Sequence, residues 1–420
     1  MARFPHRPIY TGARRASPGS RLASPLSAGV PDSADGAGRA APVSFQAATK
    51  RYPGASEPAV RELTLDVPAG EICVLVGPSG SGKTTAMRMV NRMVEITEGD
   101  ILVGERSVQD RSPAELRREI GYVIQQTGLF PHRTVSANIA TVPRLLGWDR
   151  ARTEARVGEL MGLISLDLAL LERYPGQLSG GQQQRVGVAR ALAADPALML
   201  MDEPFGAVDP INRERLQNEF LRLQAELRKT ILFVTHDIDE AIKMGDRIAI
   251  LREGGILAQY ATPAELLMAP ADSFVEDFVG ADRALKRLSL LRVRDIDLWK
   301  APLAFVGQAT EEVRAKLDGA EVPFALLVDS DRRPLGWLSD SDLARPTVPE
   351  APDTPAEPLL DLDDVMRDAL SDLLQAETMY APVLDAEGRI AGVLSVEIVS
   401  QFLTSDEALT EEHAAAERPR

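Results

Sequence analysis

The chain has 420 residues and carries 47 Lys+Arg against 62 Asp+Glu, a net charge of −15. That length implies two or three domains, and the acidic balance argues against bulk nucleic-acid binding, which uses a basic face. The single cysteine, Cys73, excludes an internal disulfide and a Cys-cluster zinc site, and four histidines (His6, His132, His236, His413) speak against a multi-His metal centre.

Apolar residues make up 45% of the chain, enough for real cores. No apolar run approaches the roughly 18 residues of a membrane span, so the expectation is a soluble, acidic, cytoplasmic protein. Residues 1–42 hold 6 basic and 2 acidic residues (+4), residues 43–281 hold 26 and 32 (−6), and residues 282–420 hold 15 and 28 (−13). The first block is rich in Arg, Ala, Ser, Pro and Gly and reads as a disordered extension, or as a start placed too early. An Arg-rich, acid-poor leader also fits a targeting segment. The Arg14-Arg15 pair resembles a twin-arginine signal, but no apolar stretch follows it.

Glu71–Val76 is a short apolar, β-branched run and reads as a buried parallel strand. Gly77-Pro78-Ser79-Gly80-Ser81-Gly82-Lys83-Thr84-Thr85 follows, a G-x-x-x-x-G-K-[ST] loop between a strand and a helix. Gly77, Gly80 and Gly82 let the backbone curl so that its N–H groups face phosphates, and the next helix adds its positive end. Lys83 reaches β/γ-phosphates, and Thr84 offers a hydroxyl to Mg2+. A second apolar strand, Ala197–Met201, ends in Asp202-Glu203, a Walker-B-type arrangement. There Asp202 holds Mg2+, often through water, and Glu203 orients and deprotonates an attacking water. Between the two lies Leu178-Ser179-Gly180-Gly181-Gln182 at a helix start, a second anion-binding end. One chain needs one cradle for its nucleotide, so the second makes sense if it faces ATP held by another subunit.

These elements resemble the ATP-binding-cassette (ABC) ATPases, over roughly residues 43–280. The resemblance implies an α/β P-loop NTPase of ABC type, a mixed sheet with a helical subdomain. It also implies a head-to-tail homodimer with two ATP between the subunits and ATP and Mg2+ as cofactors. Tyr52 lies where the family stacks an aromatic on adenine. Ser179, Gly180, Gly181 and Gln182 match the signature that touches the other subunit's ATP. Gln125 matches the Q-loop glutamine on Mg2+, with Gln126 beside it as the other candidate. Asp209, in Ala207-Val208-Asp209, resembles the D-loop, with Val208 where leucine is usual. His236, in Phe-Val-Thr-His-Asp, matches the switch histidine on the γ-phosphate. Lys83, Gln125, Glu203 and His236 are then the catalytic set, and Thr84, Gln125 and Asp202 the Mg2+ ligands. Tyr52, Gly77, Pro78, Ser79, Gly80, Ser81, Gly82, Lys83, Thr84 and Thr85 form the ATP site. Read singly, Tyr52 and His236 would be packing and capping residues; their agreement in spacing favours the family roles. Cys73 reads as a small core hydrophobe.

One cassette without a membrane helix implies a separate permease, contacted by residues 129–139, where Phe130 is either an exposed apolar contact or a core residue. An extracytoplasmic substrate-binding protein is then linked through the permease. The expected location is the cytoplasmic face of the cell membrane, peripherally bound. Ile120–Gln126, Leu145–Asp149, Met201–Gly206 and Phe274–Asp282 resemble the ATPases of quaternary-amine importers, an analogy for the substrate only. An importer ATPase for another small solute and a soluble non-transport ABC ATPase are the alternatives. The second usually carries two fused cassettes or a long coiled-coil insertion, and this chain has neither.

The acidic block contains a weak repeat. Phe324–Asp329 aligns with Tyr380–Asp385 and Gly336–Ser339 with Gly392–Ser395, both at an offset of 56. Each copy reads as strand, turn, strand, helix. The pair resembles tandem CBS domains, a smaller α+β module: copies at 286–345 and 358–404, a linker at 346–357 and a flexible tail at 405–420. In that family Ser-x-x-Asp holds a ribose and phosphate. The first copy has Ser339 and Asp342; the second has Ser395 but Ile398 in the acid's place. The other reading is that these residues cap and pack the fold. The charge of −13 suggests a module that docks electrostatically and releases with ionic strength, against a plain solvated surface.

Overall fold

A computed structural model describes residues 40–124, 128–206 and 208–403. The N-terminal extension up to residue 39, Gln125, Gln126, Thr127, Ala207 and the tail from residue 404 lie outside the described residues.

Strands β1 (Val43–Lys50) and β2 (Val60–Val67) pair antiparallel. Strand β3 (Ile72–Val76), buried at every position, runs through the glycine loop into α1 (Lys83–Val90). Next come β4 (Glu98–Val103), β5 (Arg106–Ser107), α2 (Pro113–Glu119) and β6 (Ile120–Val123). Helices α3 (Val135–Ile139), α4 (Thr141–Leu145), α5 (Arg150–Leu163) and α6 (Gly180–Leu192) follow. The chain returns through β7 (Leu198–Asp202), α7 (Pro210–Leu227), β8 (Thr230–Val234) and α8 (Ile238–Met244). The hairpin β9 (Arg247–Arg252) and β10 (Ile256–Ala261) leads into α9 (Pro263–Met268), α10 (Ser273–Val279) and α11 (Arg283–Leu288).

Two sheets organise this part. One is antiparallel in the order β2-β1-β4-β5; the other runs β10-β9-β3-β8-β7-β6, parallel except for its β9–β10 edge. Side-chain alternation splits each central strand between two cores. Cys73 and Leu75 of β3 join Met87 and Met89 of α1 and Phe45 and Leu65 of the antiparallel sheet. Ile72, Val74 and Val76 face the other way, with Val186 and Leu192 of α6, Leu216 of α7 and Ile242 of α8. Helix α1 is therefore sandwiched between sheets, which fixes where its N-terminus points. Burial pushes the Cys73 thiol up to about 12, in keeping with a core position.

The C-terminal part holds two copies of one pattern. In the first, β11 (Leu303–Phe305) pairs parallel with β12 (Leu326–Val328) across α12 (Thr310–Leu317), and β13 (Pro334–Trp337) closes the sheet antiparallel before α13 (Asp340–Leu343). In the second, β14 (Leu360–Asp361), α14 (Met366–Gln375), β15 (Tyr380–Leu384) and β16 (Ile390–Ser395) repeat the order and pairing. A strand and a helix thus precede each strand–turn–strand read from the sequence. At the turns, Asp329 and Asp385 each accept backbone N–H bonds with Oδ1, and Gly388 at φ +77° corresponds to Arg332 at φ +64°. Ile390 N–H donates to the Arg332 carbonyl at 3.0 Å, joining the two turns.

Two features of this module go beyond the linear repeat. Residues 346–357 lie along the first copy, bridging Ala309 with Thr347 and Trp337 with Thr354, with Val348 and Ala356 buried. The segment packs because its apolar residues fill the first sheet's open edge. Leu288 and Val293, which precede the first copy's strands, are buried with Leu360, Met366 and Leu394 in the second copy's core. Bridges Arg292–Val365 and Trp299–Val393 hold that crossover.

Candidate functional site

In an open parallel sheet, ligands sit beyond the carboxyl ends of the strands. Adjacency of β3, β8 and β7 brings the loops after Val76, Val234 and Asp202 to one edge. Two backbone bonds pin them there: Glu203 N–H to Val234 O at 2.9 Å and Thr235 N–H to Leu75 O at 3.2 Å. Ser79, Gly80, Gly82, Lys83, Thr84, Thr85, Glu203 and His236 line one open cleft of about 400 Å3.

The loop can close so tightly only with glycine. Gly77 has φ +154°, and a Cβ there would stand 2.2 Å from Leu251 O; Gly82 has φ +79°, with its Cβ 2.2 Å from Ala59 O. Lys83, at the first turn of α1, folds back over the loop. Its Nζ donates to Gly77 O (2.7 Å), Pro78 O (2.8 Å) and Ser81 Oγ (3.2 Å). Burial lowers the pKa of its ammonium, opposed by the charges of Glu203 and Asp202.

Opposite the loop, Thr84 Oγ1 donates to Asp202 Oδ1 at 3.1 Å, and Arg88 Nη2 lies 3.4 Å from Asp202 Oδ2. Thr84 and Arg88 are four residues apart, so one helix face presents both to the same carboxylate. The Tyr122 hydroxyl also faces Arg88 and reinforces its charge. Burial pushes the Asp202 carboxyl up; Thr84 and Arg88 work against that. Glu203 sits at φ +44°, and its Oε1 is 3.1 Å from His236 Nδ1. Arg88 was not among the residues singled out from the sequence; its i,i+4 spacing from Thr84 is the signal that points to it.

Other candidates lie elsewhere. Ser179 caps α6: its Oγ accepts from Gln182 N–H at 3.3 Å, while Gln182 Oε1 accepts from Ser179 N–H at 2.9 Å. Gly180 has open space where a side chain would be. None of Ser179, Gly180, Gly181 and Gln182 lines the cleft formed by Lys83 and Glu203. Asp209 caps α7, accepting from Asn212 N–H at 3.2 Å. Tyr52 is 42% exposed, with Lys50 Nζ 5.2 Å from its ring centre, and is not part of the cleft wall. Ser339 and Asp342 form a capping box on α13: Ser339 Oγ accepts from Asp342 N–H, and Asp342 Oδ2 accepts from Ser339 N–H and Oγ. In the second copy Ser395 Oγ accepts from Ile398 N–H at 3.1 Å, a cap without the acid.

The donor set at Asp202 fits a hard divalent cation. A hydroxyl and a carboxylate oxygen converge there, and among the described residues no cluster of three or more His, Cys, Asp or Glu offers a protein-only cage. Mg2+ is held in that way when phosphates complete its shell.

A parallel sheet with a glycine loop running into a helix, faced by a strand ending in two acids, defines a P-loop ATPase. A family model described as ABC transporter matches residues 60–206. The osmoprotectant import ATP-binding protein OsmV of Salmonella typhimurium is 47% identical over 350 residues, covering 83% of this chain and 91% of that protein. The choline transport ATP-binding protein OpuBA of Bacillus subtilis is 42% identical over 370 residues, covering 86% and 96%. The solved structure of cbiO1 from Clostridium perfringens, part of an ABC transporter complex, shares the fold, with a TM-score of 0.51 and 23% identity over 59% of this chain and 94% of that one. The chain belongs to the ABC transporter family, as one of its ATP-binding proteins, an ATP hydrolase coupled to transport. No helix among the described residues is long and apolar enough to cross a membrane.

Proposed function

We propose that this chain powers the import of small quaternary-amine osmoprotectants, of the glycine betaine, carnitine and choline class. It works as a head-to-tail dimer on the cytoplasmic side of a membrane permease. One observation carries the reading: the cleft of Lys83, Thr84, Glu203 and His236, with Asp202 bonded to Thr84, is intact in a chain 47% identical, over 83% of its length and 91% of the relative's, to a protein named for osmoprotectant import.

In this reading Lys83 leaves its loop carbonyls for the β/γ-phosphates, and the N–H groups from Gly80 to Thr85 hold the phosphate oxygens. Thr84 and Asp202, with Gln125, hold Mg2+, which neutralises phosphate charge when bound. Glu203 accepts a proton from the attacking water, and His236 contacts the γ-phosphate. Ser179 and Gly180, exposed and turned from their own cleft, face the partner's ATP. Tyr52 stacks on the base, and Asp209 joins the two sites.

A groove of about 430 Å3 lined by Met93, Tyr122, Ile124, Phe130, Val142 and Arg190 supports the permease contact. It is mostly apolar, suits a short amphipathic helix, and includes Ile124, which precedes Gln125 in the sequence. The two copies after residue 285 form a CBS-like pair. A nucleotide at Ser339 and Asp342 would compete with the capping box for Ser339 Oγ and Asp342 Oδ2.

The test is purification of tagged Glu203→Gln chain from native membranes in mild detergent with ATP. Recovery of a multi-span permease, and ATP-dependent uptake of labelled glycine betaine by the reconstituted wild-type complex, are expected. A dimer with no membrane partner overturns the reading; a permease that takes up another solute corrects its substrate.

A further inference from the structure

We infer that Lys286 is a positioning residue for hydrolysis: from the helix that starts the C-terminal part, it holds α8 and thereby the adjoining switch histidine, His236. The inference rests on the ATPase reading of the cleft and goes beyond it.

The Lys286 side chain is only 13% exposed, and three oxygens surround its ammonium. Nζ donates to Val279 O at 2.6 Å and pairs with Asp282 Oδ1 at 3.0 Å and Asp239 Oδ1 at 3.3 Å. The first two acceptors belong to the chain just before α11. The third belongs to the first turn of α8, three residues after His236. A lysine loses several rotatable bonds when held so, and the surrounding acceptors make that geometry specific.

Helix α8 is also fixed on its other side. Gln217 Nε2 of α7 donates to the buried Glu240 Oε1 at 3.0 Å, and Lys243 Nζ lies 3.5 Å from Glu214 Oε1. Helix α7 begins at the Asp209 cap. Asp237 Oδ1 caps α8 at Asp239 N–H and Glu240 N–H, so any shift of the α8 start moves the residue beside His236. Three elements thus meet on one short helix: the loop carrying His236, the helix that begins at Asp209, and α11.

Helix α11 in turn belongs to the C-terminal module. Leu288 is fully buried in the second copy's core, and the Arg287 guanidinium lies 5.8 Å from the Phe402 ring centre. A displacement of that module carries α11 with it, and Lys286 is where α11 grips α8. This is a contiguous physical route with a named bond, and its coupling is measurable.

The experiment uses the full-length chain and the variants Lys286→Met, Asp239→Asn, the double variant and Lys286→Arg. Steady-state ATPase gives kcat and KM, and hydrogen exchange reads the amides of residues 236–244. Each single variant is expected to lower kcat by about three- to tenfold with the KM for ATP unchanged. The double variant falls no further than either single one, because both break the same pair. Lys286→Arg recovers most of the rate, and exchange rises in α8 but not in β7. Asp239 is exposed, so its variant folds whatever the fate of the Lys286 variants. Unchanged kcat in Asp239→Asn, or losses that simply add in the double variant, overturns the inference. Absence of ATP hydrolysis by the wild-type chain would instead overturn the ATPase reading on which it rests, so the two failures are told apart.

Discussion

His236 Nδ1 lies 3.1 Å from Glu203 Oε1, although 33 residues separate them. The pair forms because β8 and β7 are neighbours in the sheet, so the loops leaving their carboxyl ends are adjacent. His236 remains two-thirds exposed on its cleft side, free to meet a ligand with its other ring nitrogen.

Glu203→Gln keeps the shape and the contact to His236 but removes the proton acceptor. ATP turnover is expected to fall by at least about a hundredfold, while ATP binding persists. Phosphate-release kinetics together with size-exclusion chromatography in ATP check this; the expected species is a closed dimer. A variant turning over near the wild-type rate would show that another group takes the proton.

Arg88→Met takes one of two partners from Asp202 and leaves Thr84. Arg88 is about half exposed, so its ion pair adds little to stability. The expected outcome is a Tm within a degree or two of wild type, but a several-fold higher Mg2+ requirement for turnover. A Mg2+ titration of ATPase activity decides it; identical curves would remove Arg88 from the site.

Ser179→Asp separates folding from dimer chemistry. Aspartate caps helices as well as serine does, so α6 keeps its start, whereas Ser179→Ala costs about 1 kcal/mol. The added carboxylate faces the place proposed for the partner's triphosphate. Thermal stability is expected to hold while ATP-driven dimerisation and turnover are lost. Full activity in Ser179→Asp would place the partner's ATP elsewhere.

Glu240 is buried, and burial pushes its carboxyl above the ordinary range, against hydrogen bonds from Thr235 and Gln217. The folded chain therefore binds this proton more tightly than the unfolded one. Its contribution to stability is largest at low pH and is lost as pH rises from the ordinary carboxylate value through the raised folded value. Glu240→Gln removes that titration and keeps an amide partner for Gln217. The variant is expected to be as stable as wild type or more so at pH 7.5, with a flatter Tm-against-pH curve. Destabilisation beyond about 1 kcal/mol would show that the charged form is bound favourably.

The sequence by itself determined the local pieces. A glycine loop between a buried strand and a helix, a strand ending in Asp202-Glu203, and a Ser-Gly-Gly helix start are encoded within a few residues each, because backbone conformation and capping are short-range. The internal repeat was legible for the same reason: strand and turn signals recur at a fixed offset.

Only the tertiary structure decided which pieces meet. Thr84 and Arg88 reach Asp202 across more than a hundred residues, and His236 reaches Glu203, because the strand order β3-β8-β7 sets the neighbours. Crossover order is not written in any local pattern. The linker-like residues 346–357 pack on a sheet edge, and residues 288–299 cross to the second copy, because buried apolar area is won by whichever surface is open. No local pattern marks Lys286; the fold closes Val279, Asp282 and Asp239 around it.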